Sequence, residues 1–447
     1  MRISVFTFLR ILLISLSGIL VIITNAGYNV NFLGIIILFL YGYIIYIYRP
    51  IEFVNNLLFF IILVPMLIGG ALIENGTYLF EIDSYTYWNG TFIINLFYTL
   101  LFMEFLLINV KAKRKKNAIR ISPVFIEIVI LFSVFVLYAT FIKTGIPLLK
   151  GIHRTIYFGT IVPEYVNFIK GRLSFICLVL GYYYFISKSK RYLLYFGLIV
   201  IYHILCSIKG GELLIIIYVF FLPLTLNYSE VTSHIKKNRL NRKIRYTLII
   251  LIMSIFTIIF INYQTVENYD KGTSALEKIE KRIEAAGQIW WVINDKKQVD
   301  AQFRWEKFID NFSDQNDHYA QGMNQLMNEV VPTNILDTWR SADDRGRSLA
   351  NGFPAIGYYY FGYIGVVVFL ILFGIIVILV KRDILISFKS GDILSFLFLG
   401  PILELVIRVV AQGDINLFFE GRTYAILFAY TFYGFIKKAV RGEASRG

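Results

Sequence analysis

Gly352-Phe353-Pro354-Ala355-Ile356-Gly357-Tyr358-Tyr359-Tyr360-Phe361-Gly362-Tyr363-Ile364-Gly365 marks a sharp change of character in this chain. Behind it lies Gln264 to Pro354, the one long polar run; ahead of it the sequence turns apolar again. The polar run is mixed in charge, holds Trp290, Trp291, Trp305 and Trp339, and gathers Arg340, Arg345 and Arg347 near its end. A polar stretch of this length between apolar runs reads as a folded cap outside a membrane. The glycine- and tyrosine-rich segment then leads the chain back in.

The remainder supports a membrane class. Hydrophobic residues make up 57% of the 447 and charged residues 17%, with a mean hydropathy of +0.64. Soluble domains average about 45–50% apolar. A span needs roughly 20 apolar residues to cross about 30 Å of hydrocarbon. Apolar runs fall at 5–24, 31–48, 53–73, 91–110, 124–143, 172–187, 193–208, 212–226, 246–263, 355–380, 391–411 and 421–436. The expectation is therefore an all-α integral membrane protein of about twelve transmembrane helices with a mostly helical cap. Residues 1–263 form nine spans, 264–354 the cap, and 355–447 three spans and a tail.

Loop charges orient these spans. Alternate loops carry Arg49, then Lys111 to Arg120, Lys188 to Arg191, Lys236 to Arg245, Lys381 to Lys389 and Lys437 to Arg441, whereas 25–30, 74–90 and 412–420 hold no Lys or Arg. The positive-inside rule then puts both termini in the cytoplasm and turns 144–171 and 264–354 outward. The net charge of +14 is absorbed by these loops, so nucleic acid is not an expected partner. The first apolar run lacks a small-residue cleavage site and is read as a retained span. Cys177 and Cys206 lie in apolar runs as buried thiols. There is no zinc spacing, P-loop, HExxH or outward DxD, so neither a metal nor a cofactor is expected.

Outward cations are not needed for orientation. Loop 144–171 carries Lys150, His153, Arg154 and Lys170, with Arg172 opening the next span; they read as an anion site or as solvated loop charge. Ser207-Ile208-Lys209-Gly210-Gly211-Glu212 must reverse the chain at the outer surface. Lys209 beside a helix N-terminus makes an anion-binding corner, or snorkels from a tight turn. In the cap, Ser274–Asn294 has the spacing of an amphipathic helix lying along the membrane surface. Its Trp290 and Trp291 suit sugar stacking or interfacial anchoring. Arg304–Phe312 and His318–Val330 read as two shorter helices. Trp339-Arg340 and Arg345-Gly346-Arg347, near Asp343 and Asp344, form a loop that grips phosphate or carboxylate, or a salt-bridged loop. Glu404 and Arg408 lie one turn apart, facing a cavity or pairing within the helix. Asp414, Glu420 and Arg422 share the outer level with Lys209. Glu104 and Glu127 read as structural.

This layout resembles the bacterial O-antigen and common-antigen polymerases of the Wzy type. Ser207-Ile208-Lys209-Gly210-Gly211 is similar to the family's Gly-Ser/Thr-Arg turn, with lysine for arginine. Gly352–Gly365 is similar to its re-entry segment, and Gln412-Gly413-Asp414 with Arg422 to its late Arg-Gly-Asp element, with glutamine for arginine. The resemblance implies a GT-C-like architecture and a metal-independent glycosyltransferase in the bacterial inner membrane. Such an enzyme moves a growing glycan from undecaprenyl diphosphate onto a lipid-linked repeat unit at the periplasmic face. It implies diphosphate contacts from Lys209, Arg154, Arg172, Arg340, Arg345, Arg347, Arg408 and Arg422. It further implies a proton acceptor among Asp414, Glu420 and His318. The undecaprenyl-diphosphate-linked oligosaccharide, membrane lipid, a chain-length regulator and a flippase are the candidate partners. A flippase for the same lipid-linked oligosaccharide and an O-antigen ligase are the rival readings.

Overall fold

The computed structural model describes residues 5–112, 122–152, 154–206, 210–231, 257, 275–295, 304–313, 321–341, 352–413 and 415–444. Among these the chain is almost wholly helical, with a single two-stranded hairpin of β1 (Tyr78–Leu79) and β2 (Ser84–Tyr85). It divides into two compact units, each assembled from separated stretches.

The first unit comprises Met1–Ile108, Ile279–Ile378 and Leu405–Tyr424. Its early helices are α1 (Val5–Asn25), α2 (Asn31–Tyr48), α3 (Pro50–Asn55), α4 (Leu57–Ile73) and α5 (Thr91–Leu106). The second unit comprises Asn109–Lys278, Leu379–Glu404 and Ala425–Gly447. It holds α6 (Pro123–Thr144), α7 (Pro147–Lys150), α8 (Arg154–Ile156) with a π-helical turn over Tyr157–Ile161, and α9 (Glu164–Lys170). It continues with α10 (Leu173–Ser187), α11 (Lys190–Leu205) and α12 (Gly210–Val231). The polar run supplies α13 (Ala275–Asn294), α14 (Trp305–Ser313), α15 (Gly322–Val330) and α16 (Thr333–Ser341). Last come α17 (Ala355–Ser390), α18 (Ile393–Gln412), a 3-10 turn over Ile415–Phe418, and α19 (Gly421–Ala444).

Helices cover every expected apolar run except 246–263, of which only residue 257 is described. The expected count of twelve crossings is nevertheless corrected. Among the described residues five helical segments are long and apolar enough to cross a bilayer: α1, α2, Pro123–Lys150, α17 and α18. The number becomes six if the bent pair α9 and α10 is one broken span. The apolar helices α4 and α5, with 17 and 16 residues, reach only about 24–26 Å at 1.5 Å per residue, short of a 30 Å core. The molecule is an all-α, multi-pass membrane protein.

In the first unit, glycine lets backbones touch. A Cβ at Gly69 of α4 would overlap the Ile283 carbonyl oxygen of α13, and one at Gly287 would overlap the Gly70 nitrogen. This close approach, typical of helix pairs in lipid, seats α13 among the apolar helices. Trp290 stacks between Tyr98 and Tyr358, with ring centroids 5.9 and 6.0 Å away. Trp291 Nε1 donates to the Tyr87 carbonyl at 2.8 Å. Both indoles are fully buried, so neither anchors at an interface nor offers a face to a sugar. Glu104 accepts from Tyr41 at 2.8 Å and pairs with Arg10 at 3.2 Å.

In the second unit α10 packs on α11 and α12, and a Cβ at Gly181 of α10 would overlap the Phe220 carbonyl oxygen of α12. Glu127 accepts from Tyr192 at 2.5 Å and pairs with Arg191 at 2.9 Å. Asp392, in the turn between α17 and α18, receives Lys437 at 2.5 Å, Tyr433 at 2.7 Å and Ser395 at 2.7 Å. Burial pushes this carboxyl up, but the three donors hold it below the usual carboxylate range. Cys177 and Cys206 are buried free thiols.

Candidate functional site

Among the described residues of the first unit, a polar constellation forms where the polar run meets the head of α17. Its first part is α14, tied down by Arg304, whose backbone N–H donates to the Tyr360 carbonyl at 2.8 Å. Its second is α15, which turns Glu329 toward α14. Glu329 Oε2 accepts from Arg304 Nη1 at 2.5 Å, while Oε1 accepts from Lys307 Nζ and from the Tyr359 hydroxyl, the latter at 2.5 Å. The Arg304 guanidinium also lies over the Tyr359 ring, 4.8 Å from its centroid. Next door the Tyr360 hydroxyl donates to Gln325 Oε1 at 2.9 Å.

Apolar packing fixes this arrangement. Phe308 sits edge-on to Tyr360, Phe361 and Phe419, at 5.6, 4.9 and 6.0 Å. Gly322 faces Asn416, and the Gly352 N–H donates to the Gln412 carbonyl at 3.2 Å, so α15 and the re-entry segment both rest on the end of α18 and its following turn. Gly362, with φ of 65°, breaks the helical path of α17 just beyond the tyrosine triplet. Trp305 packs on Phe308 at 5.5 Å yet remains 50% exposed. The result is an aromatic face beside two cations, a carboxylate and a phenol.

The electrostatics assign Glu329 a fixed charge. Burial pushes its carboxyl up, but hydrogen bonds from Lys307, Tyr359 and Arg304 hold it below the usual carboxylate range. Burial disfavours the Arg304 cation, yet Glu329 and Tyr359 more than offset that and keep the guanidinium charged. A carboxylate satisfied by three donors accepts a further proton poorly. Glu329 therefore positions the two cations.

The residues proposed from sequence are distributed across both units. In the second, Arg154 opens α8 and is half-buried. Arg172 caps α10 at the 42° bend after α9, its guanidinium 5.0 Å from the Phe168 ring centroid. Lys170 pairs with Glu212 in the first turn of α12 at 3.3 Å. Loop 144–171 and the start of α12 are thus brought together, beside a π-helical turn of the kind frequent at functional positions. Glu404 accepts the Ser174 hydroxyl at 2.7 Å. In the first unit Arg408, Glu420 and Arg422 are exposed on α18, the turn and α19. Arg340 is helical, in α16, which corrects its placement in a gripping loop. Lys209, His153, His318, Arg345, Arg347 and Asp414 lie outside the described residues. No group of three or more His, Cys, Asp or Glu suited to a metal ion occurs among the described residues.

Sequence reasoning passed over Arg304, Trp305, Lys307 and Glu329. Arg304-Trp305-Glu306-Lys307 flanks an indole with two cations, a local signal that the reading of 304–312 as a plain helix left unused. Nothing local marks Glu329, 25 residues later than Arg304.

A family model described as a family of unknown function, DUF6418, matches residues 316–437. The matched segment runs from α15 through most of α19 and includes Glu329, the re-entry segment and the exposed Arg408, Glu420 and Arg422. No curated protein and no solved structure matches the chain.

Proposed function

We propose that this protein is an O-antigen-type glycan polymerase of the bacterial inner membrane, with both termini cytoplasmic and the 264–354 segment in the periplasm. The observation that carries the reading is the Arg304–Lys307–Glu329–Tyr359 cluster beside half-exposed Trp305, at the foot of the polar segment where the chain returns to apolar helix. A polyprenyl-linked saccharide has the same division: an apolar tail in lipid, a diphosphate at the boundary and sugar rings beyond it. An indole face suits the sugar ring, and fixed cations suit the charge developing on a diphosphate leaving group. In the reaction, the anomeric carbon–oxygen bond to the diphosphate breaks and the acceptor hydroxyl oxygen takes its place. The hydroxyl proton passes to a base, for which Asp414, Glu420 and His318 stand as candidates. The bond electrons leave on the diphosphate, which stays on the lipid.

The resemblance in layout and motif order adds to this reading, as does the pairing of Lys170 with Glu212, which follows Lys209 by three residues in the sequence. The test is the glycan ladder of a deletion strain complemented with variants. A null strain should carry only single-repeat lipopolysaccharide. Trp305→Ala and Arg304→Ala should shorten the ladder at unchanged membrane levels of the protein. Accumulated long glycan on the lipid carrier would make the protein a ligase instead. Repeat units trapped in the cytoplasm would make it a flippase.

A further inference from the structure

A corner of the first unit built from the ends of its early helices contains a second carboxyl in very different company. Glu74 follows α4 directly and is 4% exposed, against Asn31 at the start of α2 (9%), while Thr24 at the end of α1 is buried as well (5%). Gly90, held at φ of 81°, turns the chain into α5 so closely that a Cβ there would overlap the Thr24 methyl group. Asn31 Nδ2 donates to Glu74 Oε2 at 2.6 Å. The other oxygen of each side chain, Glu74 Oε1 and Asn31 Oδ1, is buried without a hydrogen-bond partner among the described residues. The Thr24 hydroxyl is likewise without one.

Buried polar atoms are rarely left unpaired, because each costs its lost hydration. Here both orphans are acceptors as long as Glu74 is ionised, so neither can satisfy the other. One proton on Oε1 changes this. A carboxylic acid carries an O–H donor, and an acid facing a primary amide closes a ring of two hydrogen bonds. Amide N–H meets Oε2 and acid O–H meets Oδ1, so the two orphans vanish together. We infer that Glu74 is a proton-binding site, its side chain a neutral carboxylic acid that closes a hydrogen-bonded ring with the Asn31 amide.

The surrounding charges leave this intact. Helices α2 and α4 carry no charged residue, and α1 and α5 carry only Arg10 and Glu104, which pair with each other. Arg10 lies fourteen residues before Thr24, about 21 Å along the helix axis. On α13, packed against Gly69 and Gly70, Gln288 donates to Glu81 of the hairpin loop, and Asp83 accepts from Tyr78. Glu284 lies one turn earlier on α13; the remaining charges of that helix are Glu277, Lys278, Glu280, Lys281 and Arg282. Burial pushes the Glu74 carboxyl above the usual range, further than the Asn31 amide and the backbone at the start of α5 draw it down.

Infrared difference spectroscopy on the full-length protein in lipid nanodiscs tests the site. At neutral pH the wild type should show a protonated-carboxyl stretching band that shifts in heavy water and is absent from Glu74→Gln. Asn31→Leu should keep the band but move it to higher frequency, since the ring's hydrogen bond is gone. If Glu74→Gln fails to fold, the wild-type and Asn31→Leu spectra still decide the point. Absence of the band, or an identical band in Glu74→Gln, overturns the inference. A thermal midpoint that rises with sodium in the wild type but not in Glu74→Gln also overturns it, because the carboxylate would then hold a metal cation.

Discussion

Glu329 and Glu74 belong to the same unit and are the same residue type, yet their surroundings drive them to opposite states. Glu329 meets Arg304, Lys307 and Tyr359, three donors of which two are cations. Glu74 meets the neutral amide of Asn31 and the backbone at the turn into α5. Ionisation of a buried carboxyl is costly unless cations and donors compensate it. The charge state of each is therefore decided by neighbours from elsewhere in the chain: α14 with its preceding Arg304, and α17, in one case, α2 and the turn into α5 in the other. The contrast also separates roles. A pinned anion holds cations in place, whereas a neutral acid can close a corner of an apolar bundle.

The contrast can be broken by substitution. Glu329→Ala should have the largest effect, lowering unfolding free energy by about 2–3 kcal/mol, because it leaves Arg304 partly buried without its counter-charge. Lys307, 41% exposed, contributes least to that loss. Thermal unfolding in detergent measures it, and a change below about 0.5 kcal/mol would remove the cluster from the structural frame.

Glu329→Gln should cost less, about 1–2 kcal/mol, since an amide oxygen still accepts but balances no charge. It should also flatten the acid side of the stability profile. The sign follows from the depressed carboxyl: its contribution is present above the ordinary glutamate value of about 4.3 and is lost as pH falls through the lower folded value. Tyr359→Phe comes next, at about 1 kcal/mol for one hydrogen bond, with the acid limb retained.

Glu74→Gln should have the smallest effect, under about 1 kcal/mol at neutral pH, as an amide mimics the neutral acid in shape. Its signature is on the other side of the profile. A raised carboxyl contributes stability that is complete below its unfolded value and lost as pH rises through its folded value. The wild type should therefore weaken toward alkaline pH and the glutamine variant should not. Loss of stability by Glu74→Gln equal to that of Glu329→Gln would erase the distinction between the two sites.

Much of the fold was legible because lipid imposes a simple rule on sequence. Spanning backbone must satisfy its own hydrogen bonds, so apolar runs become helices, and every described run did. The number of crossings was not legible, because run length alone did not reveal that α4 and α5 stop short or that α9 and α10 bend. Trp290 and Trp291 show the same limit. Their helical spacing was plain, but Gly69, Gly70 and Gly287, which draw α13 inward, matter only once two helices meet.

Composition, hydropathy and charge alternation by themselves determined an all-α membrane protein with one long polar segment, since these are sums over the chain and its local periods. Tertiary structure alone decided which charges matter. It put Glu329 on Arg304 and Lys307 and left Glu74 with Asn31, 43 residues away in sequence. The reason is physical: a helix period states which face a side chain occupies, but its protonation and partners depend on what is folded against that face.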